Sequence, residues 1–213
     1  MTDAVARRPS GRPTTADAAA LAQHILDIAT RAFLSDGYAA TSVEGVAASA
    51  GVAKRTLYAR WHGKPALFRA VLERLMLRWL ASPEPAPEMA HGLEPVLLWT
   101  ARRALAVALE PEALALHRLV IAESGRFPEL VDMVRQSGAV AGTARIAGLL
   151  AGEMAAGRLA PLDPVVTAEQ FLHLVLTGPQ RRALGLGPAL NPAGLEAWAC
   201  QAVALFLHGC RSR

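Results

Sequence analysis

Residues 41–64, TSVEGVAASAGVAKRTLYARWHGK, constrain what this chain can fold into more than any other stretch. Thr41 and Glu44 stand at the T-x-x-E spacing of a capping box, which predicts a helix start. Val43, Val46 and Ala47 give that short helix one apolar edge. Gly51 then supplies a residue that can turn with positive φ. A second short helix is expected from about Lys54 to Arg60, with Leu57 turned inward and Lys54, Arg55, Thr56, Tyr58 and Arg60 left as polar or aromatic reach. Two short helices joined by a Gly-containing turn are the pattern of a helix-turn-helix, whose second helix enters the DNA major groove.

Charge placement agrees with such a head. Residues 1–69 hold nine Lys or Arg against five Asp or Glu, whereas residues 70–213 hold thirteen of each, so the net charge of +4 sits in the first third. Lys54 and Lys64 are the two lysines of the chain, and both lie in or beside the predicted motif. A basic head on a neutral body reads as a nucleic-acid-binding unit joined to a protein-interacting one. At 53% hydrophobic and 19% charged residues, the 213-residue chain has ample material for a core. Abundant Ala, Leu and Arg with few aromatics favour helices over strands. No run reaches the roughly 18 apolar residues of a membrane span. The start, MTDAVARRPSGRP, lacks a secretory apolar region, so a cytoplasmic location is expected. Cys200 and Cys210 would lie about 15 Å apart on one helix. That is too far for a disulfide, and ordinary thiols are expected.

An all-α chain of about nine helices follows from the periodicity. Residues 1–15 read as a disordered basic arm, in which Arg7, Arg8 and Arg12 could reach a minor groove. A merely solvated tail is an equal alternative. Residues 16–66 form the expected three-helix DNA-binding unit, with the helix-turn-helix at about 42–61; residues 67–213 form a regulatory and dimerisation domain. The first helix, about 16–35, carries Leu21, Ile25, Ile28, Ala29, Ala32 and Phe33 at helical spacing. A fourth starts at Lys64 and Pro65 and links head to body. After a Pro-rich loop, 81–92, come helices at about 93–109 and 112–124. Pro128 opens a single long one to about Gly157, whose Gly138, Gly142, Gly148 and Gly152 are expected to serve close helix packing. Asp163 caps the next, and Asn191 with Pro192 starts the last. These two carry apolar stripes: Phe171, Leu174, Val175 and Gly178 on one, and Leu195, Trp198, Ala199, Ala202 and Phe206 on the other.

The sequence carries no G-x-S-x-G elbow, P-loop or H-E-x-x-H. Its six histidines are scattered, so no enzyme, metal or cofactor chemistry is expected. The body is larger than dimerisation requires. Trp99, His117, Phe127, Met133 and His173 are candidate lining for a small apolar or amphipathic ligand, with Arg102 or Glu123 to orient a polar end. Pockets are mostly apolar with few placed polar groups, and so are ordinary cores.

The run GVAKRTLYARWHGK resembles the TetR/AcrR signature, and ILDIA (25–29), Phe33, Asp36–Gly37–Tyr38 and Thr41–Ser42–Val43 match that family's first helix and its exit. The resemblance covers about residues 20–75. Ala53 departs from it where Ser is usual, and Gly63 where another Ser is common. Farther on, LHRLVIAESGRFPEL resembles the C-terminal domain of AefR-like regulators. The resemblance implies a homodimeric regulator of transcription on a palindromic operator, most often a repressor, with the last two helices forming a four-helix dimer interface. It implies that Lys54, Arg55, Thr56 and Tyr58 face the major groove, with Arg55 the first candidate for reading guanine. It also implies that Thr41, Ser42, Tyr58, His62 and Lys64 hold phosphates, and that a ligand in the body alters the spacing of the heads through the fourth helix. The alternatives are a ligand-independent binder or an activator, or a helical small-molecule-binding protein that has lost DNA binding.

Overall fold

In the computed structural model, which describes residues 15–81, 87 and 92–210, helix α1 (Thr15–Ala40) lies across the short helices α2 (Val43–Ser49) and α3 (Lys54–Arg60). The expected basic arm, with Arg7, Arg8 and Arg12, and most of the Pro-rich loop lie outside the described residues. Helix α4 (Lys64–Leu80) leads from the head into the body. The body comprises α5 (Leu93–Ala108), α6 (Pro111–Glu123), α7 (Glu129–Val134), α8 (Val140–Ala155), α9 (Pro164–Ala183) and α10 (Pro192–Cys210). No strand occurs among the described residues, and no helix there is long and apolar enough to cross a membrane.

Helix α1 buries Ile25, Ile28, Ala29 and Phe33 as its spacing predicts, while Leu21 stays exposed. It runs farther than expected because the chain kinks at Gly37 (φ 89°, ψ 170°) and makes one more turn to Ala40. The capping box does not form. Thr41 is buried and its hydroxyl donates to Gly37 O at 2.7 Å. The cap of α2 is Ser42, whose hydroxyl accepts from Gly45 N at 3.0 Å. Glu44 is thereby released toward α3. Ala53, at the start of α3, makes no side-chain cap.

Two cores organise the molecule. The first joins Ile25, Phe33, Leu57, Phe68 and Leu72 to Leu116, Leu119, Leu130 and Met133 of α6 and α7. Packing therefore runs straight through position 66, because α4 is buried against α1 on one side and against α7 and the turn after it on the other, while α6 packs on α1. Each fully buried large side chain contributes roughly 1.5–3 kcal/mol. The second core joins Leu97, Ala101, Leu150, Phe171, Val175, Ala199 and Phe206 of α5, α8, α9 and α10. Where one helix was expected from Pro128 to Gly157, a π turn at Arg135–Ala139 separates α7 from α8. Ser137 donates to Val134 O there at 2.8 Å. A wider turn shifts the face that each following residue presents. Gly142, Gly148 and Gly152 consequently face open space and do not serve close packing within this chain. The close approach is instead at Gly178, where a Cβ would strike the Trp198 ring. Asp163 caps α9 as expected, accepting from Val165 N at 2.8 Å and Val166 N at 3.0 Å.

Candidate nucleic-acid interface

Helix α3 buries only Leu57, so its remaining surface is free to meet a partner. Lys54, Arg55, Tyr58 and Arg60 are exposed and Thr56 is half-buried. Ser42, at the N-terminus of α2, and His62, just past α3, are exposed on the same small unit. Glu44 ties the two helices together. The Tyr58 hydroxyl donates to Glu44 Oε1 at 3.0 Å, and Lys54 Nζ stands 4.0 Å from the same oxygen. The Glu44 carboxyl is held below the usual range, first by its own backbone N–H and then by Tyr58; that bond pushes the Tyr58 hydroxyl up. Glu44 thus holds the Tyr58 side chain before any partner arrives. Arg60 reaches back to α1, its Nη1 donating to Ala18 O at 3.4 Å.

Thr41 and Lys64 both bond to the turn that follows Gly37. The Thr41 hydroxyl is committed inward to Gly37. Lys64 Nζ donates to Ala39 O at 3.1 Å and lies 4.6 Å above the Tyr38 ring, in cation–π range. Partial burial lowers its pKa. Lys64 thus spends one of its three N–H donors at the seam between head and body.

The same seam claims three of the seven candidate ligand residues. Phe127 packs edge-on against Tyr38 at 5.1 Å, Met133 is buried in the first core, and Glu123 accepts backbone N–H groups of Tyr38 and Ala39, each at 2.7 Å. The other four line two separate spaces. Trp99 and Arg102 border an open cavity of about 690 Å³ that Glu153, Arg158, Leu159 and Leu207 also line. There Arg158 holds the buried Glu153 by two bonds, at 2.8 and 2.6 Å, and this pairing lowers the Glu153 pKa. Arg102 is likewise paired with Glu196. Each guanidinium spends its Nε and Nη2 on a carboxylate. His117 and His173 border a cavity of about 360 Å³ between α6, α8 and α9, with Glu169, Thr177, Gln180 and Arg181.

The candidate interface stripes turn largely inward. Phe171, Val175, Ala202 and Phe206 are buried within this chain, with the Phe171 and Phe206 rings 4.9 Å apart. Trp198 covers Gly178 and donates to Val175 O at 2.9 Å. Leu195 is half-buried and Leu174 is exposed. The outward surface of this helix pair carries Gln170, Leu174 and Thr177 on α9 and Ala197, Gln201, Ala204 and Leu205 on α10. Both stripes were read at the right period, but on the side that joins α9 to α10. Sequence reasoning also missed Glu44 as a partner of α3 and the Tyr38 and Ala39 amides as the partners of Glu123. The latter pairing spans 84–85 positions and leaves no local signal.

Comparison with known proteins places this geometry. Residues 25–71 match the model of bacterial regulatory proteins of the tetR family, and residues 95–209 match that of the AefR-like transcriptional repressor C-terminal domain. The flavonoid-responsive regulator FrrA superposes with a TM-score of 0.78 at 33% identity, covering 92% of this chain and 99% of that one. A TetR-family regulator from Mesorhizobium loti MAFF303099 gives 0.71 at 28% identity over 92% of this chain and 98% of its own. The transcriptional repressor ComR of Escherichia coli (strain K12) is 38% identical over 78 residues, 37% of this chain, so the match spans about a third (35%) of that relative's length. An exposed basic α3 braced by α1 and α2, a helical body, and family matches over both parts agree: the chain belongs to the TetR family of bacterial transcriptional regulators, with an AefR-like C-terminal domain.

Proposed function

We propose that this regulator is a homodimeric repressor that reads a two-fold-symmetric operator with α3 and releases it when a small amphipathic molecule enters the body. The observation that carries the reading is α3 itself, which buries Leu57 and leaves Lys54, Arg55 and Tyr58 exposed on a helix too short to be stable alone. Arg55 reads guanine through O6 and N7. Lys54, Thr56 and Tyr58 share the groove, and Ser42 and His62 hold the flanking phosphates, which set register rather than sequence. The outward surface of α9 and α10, with Leu174, Ala197, Ala204 and Leu205, is the dimer face, and a dimer suits half-sites about 34–36 Å apart. For the ligand, the cavity beside Trp99 offers an indole wall, leucines and two arginine edges already neutralised by carboxylates. That combination suits an uncharged planar ring system bearing hydroxyl or carbonyl oxygens. The responsiveness that FrrA's name records supports the same class.

The test is binding of the purified protein to DNA flanking its own gene, across a salt series and with flavonoids added. Tight, salt-dependent binding by wild type, loss of sequence preference in Arg55→Ala, and release by a planar polyphenol support the reading. Failure to select any DNA from a random pool above non-specific affinity would remove it.

A further inference from the structure

Glu123 ends α6, on the body, yet its two carboxylate oxygens are spent on the head. Oε1 accepts from Tyr38 N and Oε2 from Ala39 N, each at 2.7 Å. Those amides open the single turn that follows the Gly37 kink. The first amides of a new turn have no partner within it, and a carboxylate suits them in charge as well as geometry. The cap is therefore supplied from another domain. The surroundings are built around it. Gly37 sits at φ 89°, a region that favours glycine, and a Cβ there would lie against Glu123 Oε1. Lys64 holds the far end of the turn through Ala39 O at 3.1 Å. The Tyr38 ring between the amides and the core packs against Phe68 at 5.2 Å and Phe127 at 5.1 Å.

We propose that Glu123 is a positioning residue for DNA binding: its carboxylate is the strut through which α6 sets the angle of the reading head, so that a shift of α6 changes operator affinity. The proposal rests on the DNA reading given above and names the part that transmits its regulation. Displacing Tyr38 and Ala39 moves Ser42, the cap of α2, within three residues. On the other side, His117 lies on the same helix, about 9 Å along the axis from Glu123, and lines the cavity of about 360 Å³. A molecule bound there pushes on the helix that carries the strut.

The full chain and its Glu123→Ala, Glu123→Gln and Gly37→Ala variants decide the matter through amide hydrogen exchange and operator affinity. In Glu123→Ala, exchange at Tyr38 and Ala39 should quicken by at least about tenfold while Val46 and Ala47, inside α2, stay protected; operator affinity should fall by about tenfold or more. Glu123→Gln, with one acceptor oxygen in place of two, should fall between. Gly37→Ala, which displaces an intact Glu123, should reproduce the Glu123→Ala pattern. A residue that merely stabilised the head would instead lower protection throughout α2 and α3 and leave the affinity of the folded protein unchanged; that result overturns the proposal. So does unchanged exchange at Tyr38 and Ala39, or quickened exchange with affinity kept within about twofold. Exchange is read without DNA. A wild type that binds no operator therefore strikes the regulator reading, whereas unchanged exchange strikes only the strut.

Discussion

The reading face and the cavity beside Trp99 are both built on helices, but they draw on the chain in different ways. The face takes Ser42, Lys54, Arg55, Thr56, Tyr58 and His62 from one short stretch, and Glu44, in the same stretch, bonds to Tyr58. The cavity takes Trp99 and Arg102 from α5, Glu153 from α8, Arg158 and Leu159 from the following turn, and Leu207 from α10. A site of the first kind travels with its motif, because the helix-turn-helix carries its own geometry. A site of the second kind exists only where distant helices happen to meet. Substitutions in the head should therefore act on DNA binding one side chain at a time, and substitutions in the body should act through packing.

The largest effect tests whether the head is as self-contained as its motif. Phe68 on α4 is fully buried, its ring 4.9 Å from Phe33 and 5.2 Å from Tyr38. Phe68→Ala should cost about 3–5 kcal/mol. Because the first core includes Leu119, Leu130 and Met133, protection should be lost in α6 and α7 together with α1–α3, as amide exchange would report. Loss confined to α1–α3 would show that the head is a separate folding unit and would extend the comparison from the reading face to the whole head.

Arg55→Ala comes next. Removing a bidentate contact to guanine costs about 1–3 kcal/mol of discrimination. Specific and scrambled DNA should then bind more nearly alike, while the thermal midpoint is unchanged because the side chain is exposed. A drop in affinity that is equal for both DNAs would move Arg55 from base reading to phosphate contact.

These two substitutions mark what was legible. The periodicity of α1, the boundaries of α3 and α4 and the Asp163 cap all follow from signals within a few residues, and each is present. Apolar stripes reveal that α9 and α10 have a buried side, but Phe171 and Trp198 look alike in sequence whether that side meets a neighbour in the same chain or in another. The packing of Phe171 on Phe206 and the fit of Trp198 over Gly178 distinguish them. Glu123 and Phe127 stand out in the body's sequence as candidate ligand contacts, and the head they serve lies more than eighty positions earlier.

Gly178→Ala sharpens the body's half of the comparison. The added methyl meets the Trp198 ring. Overpacking costs about 1–3 kcal/mol, so the midpoint should fall while the operator affinity of the folded protein holds. Trp198→Leu in the same chain should relieve part of the loss. Independent, additive losses would mean that the pair is not in contact.

The smallest effect lies at Ala53, the departure from the family pattern that touches α3 directly. Its backbone is extended (φ −69°, ψ 140°), the conformation of an N-cap, yet no side-chain oxygen meets the first free amides of α3. Ala53→Ser supplies one. A cap contributes about 0.5–2 kcal/mol, and 1 kcal/mol moves the midpoint of a chain this size by about 2–4 °C. The gain should appear first as slower amide exchange in α3, since that helix alone acquires the bond. If the serine also tightens specific DNA binding, the reading helix of the wild-type chain pays an ordering cost on the operator that the alanine leaves in place. If stability rises and affinity does not, α3 is already ordered by Leu57 and the Glu44–Tyr58 bond, and the head's geometry is as local as the comparison requires.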